Sequence, residues 1–230
     1  MPSQTLRISP WFLIFVIVLL QGCHSPLPRA EALFDGKSLA GWQGFHSNPY
    51  QLKSLDPQER KNRQEKADET MRRHWSVVDG ILCFDGKGQN LVSIHEFGDF
   101  ELSLEWMITP GGDSGIYLRG CPQVQIWDSS LNPAGSGGLY NNQNGGAQPL
   151  EAADAPPGQW NHFKITLEND RVTVYLNDRL VVNDIPLENY WRRSEPIPSH
   201  GPIELQSHGT PLKFRNLMIT RLRAMGLEDR

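Results

Sequence analysis

From His74 onward, apolar and polar residues alternate with a period of two. In DFELSLEWMI, Phe100, Leu102, Leu104 and Trp106 point one way, and Glu101, Ser103, Glu105 and Met107 the other, which predicts a half-buried strand. Similar runs recur. WSVVDGILCF carries Asp79-Gly80 as a hairpin turn between two β-rich segments. HFKITLENDRVTVYLNDRLVV breaks at Glu168-Asn169-Asp170 and again at Asn177-Asp178, and GPIELQSHG and PLKFRNLMITRL complete the series. No segment keeps a helical period long enough to predict a long helix, and there is no internal repeat. The sum is an all-β sandwich.

One segment interrupts this pattern. Residues 47–73, including DPQERKNRQEKADETMRR, are dense in charge and almost free of large apolar side chains. They read as a surface insertion, a short solvated helix at most or a lid, with no apolar stripe to bury.

Alternation also sorts the faces of the predicted strands. Ile203, Leu205 and Ser207 share one face, and Glu204, Gln206 and His208 the other. Ile116 and Leu118 face inward and leave Tyr117 and Arg119 opposite. Val124 and Ile126 leave Gln123, Gln125 and Trp127 outward, while Asp128 falls on the apolar side, so that a bulge re-aims it or the strand ends there. An antiparallel sheet ordinarily wets one face. A face that collects Tyr, Arg, Gln, His and Glu is richer than that in groups that grip hydroxyls, and it predicts a binding face.

Composition sharpens the picture in two places. The 230 residues carry 21 glycines, 17 prolines and seven tryptophans, which suits a turn-rich β domain. The formal charge of −4 supplies no basic field for phosphates, which argues against a nucleic-acid partner. At the N-terminus, Arg7 precedes the apolar run WFLIFVIVLL, which is shorter than the about 20 residues a membrane span needs. The run ends in LQGC, which resembles the lipobox of bacterial lipoproteins and makes Cys23 the expected acylated residue. Export permits a disulfide between the remaining cysteines, Cys83 and Cys121. Two free thiols fit equally, and neither cysteine has the spacing of a zinc site.

The segments LFDGKSLAGWQGF, WSVVDGIL, FGDFELSLEWMITPGGDSGIYLRG, VQIWDS, GGLY, PPGQWNHFKITLENDRVTVYLND and GPIELQSHGTPLKFRNLMITRL follow one another in an order and spacing that resemble the bacterial 3-keto-disaccharide hydrolase family. The resemblance covers nearly the whole chain after the leader. It implies a concanavalin A-like jelly roll. Asp113 stands where the family usually has Asn, and the charge of the 47–73 insertion is unusual. The expected layout is a lipoprotein signal peptide over 1–22, a tether over 23–30, a jelly-roll domain over 31–224 and a tail over 225–230.

The chemistry implied is elimination. A C3 ketone acidifies the C2 hydrogen of a sugar. A base removes it, the enolate is stabilised, the C1 substituent leaves and water adds back. On this reading Glu105 is the base, His208 the acid or second base, and Arg119 the stabiliser of the oxyanion. Tyr117, Gln125, Asp128, Tyr140 and Gln206 bind the substrate. No cofactor is demanded, although a divalent cation is admitted beside Arg119 or in its place. The expected partners are an oligosaccharide or glycoside and, through the lipid, the membrane of the bacterial cell envelope. Two other readings stand beside this one. The first is a retaining glycosidase using Glu101 and Glu105, whose ELSLE resembles the glucanase E-x-D-x-E strand with Ser103 in place of Asp. The second is a carbohydrate-binding module without activity.

Overall fold

The structure is a computed structural model that describes residues 29–222. The leader, Cys23 and the C-terminal tail lie outside the described residues.

Two short elements open the fold, β1 (Ala30–Ala32) and β2 (Trp42–Gly44), followed by helices α1 (Pro49–Ser54) and α2 (Pro57–His74). The strands then run β3 (Trp75–Val78), β4 (Ile81–Phe84), β5 (Leu91–Phe97), β6 (Phe100–Ile108), β7 (Asp113–Leu118) and β8 (Cys121–Trp127). After a long loop come β9 (Asn161–Glu168), β10 (Arg171–Leu176), β11 (Arg179–Pro186), β12 (Gly201–Leu205) and β13 (Leu212–Arg221). They form two antiparallel sheets. The larger has the order β11-β10-β9-β6-β13-β4-β3, with β1 beside β13; the smaller has the order β2-β5-β12-β7-β8. This is the all-β jelly-roll sandwich expected from the alternation.

The hairpins form where the sequence marks them. Asp79 and Gly80 (φ 50° and 78°) join β3 to β4, and Asn177 and Asp178 (φ 49° and 66°) join β10 to β11. Such two-residue turns require the left-handed conformation that Asn, Asp and Gly adopt most readily. The inward rows of both sheets share one core. Trp106, at 1% exposure, packs on Phe163 from the large sheet, and Ile116, Val124 and Leu205 close the core from the small one. Trp160, half-buried, lies under the Arg215 guanidinium at 4.1 Å. Cys83 and Cys121 are both free thiols, which closes the disulfide alternative.

The 47–73 segment departs furthest from expectation: α2 is an 18-residue helix. Its start is well signalled, because Asp56 Oδ1 accepts the Glu59 N–H at 2.9 Å and Pro57 opens the first turn. Asn48 and Gln51 make a capping box at α1 in the same way. Only Ala67 and Met71 of α2 are buried, and polar contacts dock the helix on the edge strand β2. Gly44 N–H donates to Asp68 Oδ1, and Gln64 Nε2 to the Gly44 carbonyl, both at 2.9 Å. A Cβ at Gly44 would stand 2.2 Å from the Ala67 carbonyl oxygen, so the helix approaches only because residue 44 is glycine. The insertion thereby covers an exposed sheet edge and roofs part of the small sheet's outer face.

Candidate active site on the small sheet

Cross-strand register decides which side chains share a face, since directly opposed residues project the same way. Asp113 is opposite Trp127, Gly115 opposite Gln125, and Tyr117 opposite Glu204, which in turn is opposite Val92 on β5. These side chains stand on the outer face of the small sheet, away from Ile116, Val124 and Leu205. Gln206 extends the row, its N–H bonding to the Gly115 carbonyl at 2.9 Å. Tyr117, Gln123, Gln125, Gln206 and His208 therefore gather as the alternation predicted.

They line a groove of about 350 Å³ with Asp113, Trp127 and Tyr140, and Tyr190 and Trp191 close one side. Trp127 and Tyr140 meet edge to face at 5.5 Å, and Tyr140 is 51% exposed, so an aromatic rim faces solvent. Trp191 is fixed by its Nε1 donating to the Gly120 carbonyl at 2.8 Å.

A polar chain runs along the floor. Gln123 Nε2 donates to Gln125 Oε1, Gln125 Nε2 donates to Asp113 Oδ1 at 2.8 Å, and Asp113 Oδ2 lies 3.4 Å from His208 Nδ1. Gly115 leaves room for this chain, because a Cβ there would meet the Gln123 side chain at 2.9 Å. The carboxylate is anchored on one oxygen, and its other oxygen lies within ion-pairing distance of His208, whose imidazole is itself largely exposed at the groove. Asp113, noted in the sequence only as a departure from Asn, thus becomes the partner of His208.

Deeper in the sheet, Gln206 Nε2 donates to Tyr117 Oη at 3.2 Å, so the phenol's own hydrogen is free to donate elsewhere. Gln206 Oε1 is buried without a partner among the described residues, an acceptor waiting for a donor. Beside Tyr117, Glu204 is 2% exposed and accepts a hydrogen bond from Asn90 Nδ2. Burial pushes the Glu204 carboxyl up to about 8, against the Asn90 hydrogen bond, which favours the ionised form. Burial, and then the nearby Glu204 charge, push the Tyr117 phenol well above its ordinary value. Sequence reasoning put Glu204 on this face without assigning it a role. The signal it lacked was burial, which comes from distant segments.

Three expected site residues stand elsewhere. Glu105 is on the outer face of the large sheet, where Arg215 Nε donates to it at 2.8 Å and Asn216 Nδ2 at 2.5 Å. Burial would raise its carboxyl, but the bonds from Asn216 and Arg215 outweigh that and hold it low. Alternation gave its face correctly but not its sheet, so Glu105 cannot meet His208. Arg119 sits in the left-handed turn Arg119-Gly120 between β7 and β8, with φ 52°, and the turn carries its side chain off the face. It is 3% exposed and donates to the Gly98, Asn169 and Pro198 carbonyls and to Asp99 Oδ1 at 2.5 Å. Its donors knit loops together and are unavailable to an oxyanion. Asp128 follows the end of β8 and is likewise occupied, accepting from Gly111 N–H at 2.8 Å and from Ser130 N–H at 2.9 Å.

The pair Glu101 and Glu105 also fails as a glycosidase dyad. Glu101 is bound to Lys164 at 3.0 Å and Glu105 to Arg215, and the two stand four positions apart in β6, about 13 Å at the backbone, whereas a retaining enzyme needs carboxyls about 5–5.5 Å apart. No three His, Cys, Asp or Glu side chains converge as a metal site among the described residues.

A family model, the 3-keto-alpha-glucoside-1,2-lyase-like domain, matches residues 29–220. The chain belongs to this family. It is 26% identical to a 3-keto-disaccharide hydrolase of Bacteroides thetaiotaomicron, over 81% of this chain and 76% of that protein. A candidate glycosyl hydrolase from Parabacteroides distasonis superposes with a TM-score of 0.62 at 28% identity, covering 84% of each chain. A second from the same organism gives 0.60 at 23% identity, covering 84% of this chain and all (100%) of that one, and agrees in fold. The match spans both sheets, and with it the strands that build the groove.

Proposed function

We propose that the protein cleaves 3-keto-glycosides in the groove of the small sheet, by removing the C2 proton, eliminating the C1 substituent and hydrating the product. The observation that carries this reading is the Gln123–Gln125–Asp113–His208 chain opening onto an aromatic-rimmed groove. A single oriented base is what elimination needs and what a two-carboxylate glycosidase lacks. His208 Nε2 takes the C2 proton, and Asp113 stabilises the imidazolium that forms. Tyr117 donates its free O–H to the C3 carbonyl oxygen as negative charge develops there, the role first assigned to Arg119. Gln206 Oε1 accepts a substrate hydroxyl, and Trp127 and Tyr140 stack on the apolar face of a sugar ring. The family membership and the curated relative's name support the 3-keto substrate.

The test is incubation with a panel of 3-keto-glucosides beside their unoxidised parents. Aglycone release from the keto series alone is expected. Saturable binding of both series with no release from either would make the protein a carbohydrate-binding module instead.

The same reading anchors the protein in the bacterial cell envelope through acylated Cys23, on the strength of the LQGC motif after a short apolar run. Cys23→Ala should leave the membrane fraction. Its recovery there in wild-type amount would refute the anchor.

A further inference from the structure

Beside the groove lies a second cavity, of about 310 Å³, between the α1–α2 insertion and the β2–β5–β12 half of the small sheet. Its walls are mixed: Gln43, Ser47, Tyr50 and Gln64 bring polar groups beside the apolar Phe45 and Leu52. Its volume falls at the small end of the range for ligand pockets. The segment that links β11 to β12 reaches over to the insertion, where Asn189 Nδ2 donates to Tyr50 Oη at 2.6 Å. The two cavities flank one cross-strand pair. Tyr117 lines the groove, and Glu204 lines the second cavity.

We propose that this second cavity receives the C1 substituent of the substrate, and that Glu204 is the acid that protonates the departing oxygen. The inference rests on the elimination reading above and adds to it the leaving-group side. Asp113, the partner of His208, is four residues along β7 from Tyr117, the residue opposite Glu204, so the two ends of the site are about 13 Å apart along the strand. The sugar ring sits across that interval, over Tyr117, which lines the groove beside Glu204. The C2 hydrogen then faces His208 and the C1 oxygen faces Glu204.

Atoms balance along this path. His208 Nε2 takes the C2 proton, and the electron pair of that C–H bond enters the C2–C3 enolate. The C1–O bond then breaks, its electrons leave with the oxygen, and C1=C2 and the C3 carbonyl form. Glu204 gives its proton to that oxygen, which releases an alcohol and leaves a carboxylate. In hydration, Glu204 takes a proton from water as the hydroxide adds to C1, and His208 returns one to C2. Both residues end as they began.

A buried carboxyl can act this way only if it arrives protonated, and its surroundings favour that. Around it stand Asn90 before β5, Val92 on β5, Tyr117 on β7 and the walls of the cavity. The ionisable groups of those walls are His46, Tyr50, Lys53, Arg60, Glu96 and His200. Lys53 and Arg60 are exposed helix residues at the mouth. Among the described residues Asn90 supplies the one hydrogen bond to the carboxyl, and burial favours the protonated form.

The test is a leaving-group series with Glu204→Gln. The variant should lose about 10²–10⁴-fold in kcat on a 3-keto-disaccharide, whose sugar alkoxide needs a proton. It should lose less than about tenfold on a 3-keto nitrophenyl glucoside, whose phenolate leaves unaided. Exchange of the C2 hydrogen with D2O should continue in the variant and outrun release of the sugar. Gln43→Trp, which fills the cavity from the edge strand, should raise KM for the disaccharide and leave that for a methyl 3-keto-glucoside unchanged. Equal losses on good and poor leaving groups, loss of C2 exchange, or full activity on the disaccharide would each overturn the role of Glu204. An unchanged disaccharide KM in Gln43→Trp would overturn the role of the cavity. If the wild-type protein released nothing from any 3-keto-glycoside, the underlying reading would fall instead.

Discussion

At the residue scale, side chains with similar sequence signatures do opposite things because their backbones and covers differ. Arg119 and Glu105 both lie opposite apolar rows, yet one is a buried staple and the other half of a surface ion pair with Arg215. Arg119→Ala should therefore cost about 3–5 kcal/mol of stability, by leaving Asp99 and three carbonyls unpaired, while folded protein keeps its turnover. Glu105→Gln should leave turnover unchanged. Denaturant midpoints and initial rates on one substrate check both, and a large loss of rate in Glu105→Gln would return the chemistry to the large sheet. Glu204 carries a separate signature in pH. Its carboxyl titrates near 8 when folded, against an ordinary 4.5. Below 4.5 it is protonated in both states. Between the two values only the unfolded chain releases the proton, so stability falls as pH rises, and above 8 the deficit is constant. Relative to Glu204→Gln, the wild-type protein should lose on the order of 3–5 kcal/mol between pH 4 and 9. A gap that stayed constant across that window would mean the carboxyl is not held protonated.

At the scale of elements, the sequence was a good guide to strands and a poor one to the helix that covers them. Strict alternation in β6 and the Asp-Gly and Asn-Asp turns specify faces and hairpins locally, so they could be read without a structure. Helix α2 buries only two side chains, Ala67 and Met71, and docks through hydrogen bonds, so it presents no apolar stripe to find. The Asp56–Pro57 cap counts for little without one. Gly44→Ala tests the docking. The added methyl would meet the Ala67 carbonyl, so the variant should lose about 1–3 kcal/mol and expose α2 to limited proteolysis while the sandwich stays intact. An unaltered cleavage pattern and midpoint would mean that the helix is not seated on β2.

At the scale of the whole molecule, the chemistry belongs to one face of one sheet. The large sheet supplies core and stiffness; the small sheet supplies Tyr117, Gln125, Gln206 and His208 from strands distant in sequence. Half of that site was legible because alternation reports facing. Asp113 and Glu204 were not assigned, because pairing between strands and burial under another segment are properties of the assembled fold. Glu105 was misplaced because alternation says which face a residue takes but not which sheet. The measurement that bears most directly on the account is NMR of a 3-keto-glucoside cleaved in D2O by the wild-type protein and by His208→Ala. The account predicts deuterium at C2 of the released sugar, a primary isotope effect when C2 carries deuterium at the outset, and loss of both exchange and release in the variant. Release by the wild-type protein with no C2 exchange and no isotope effect would contradict it.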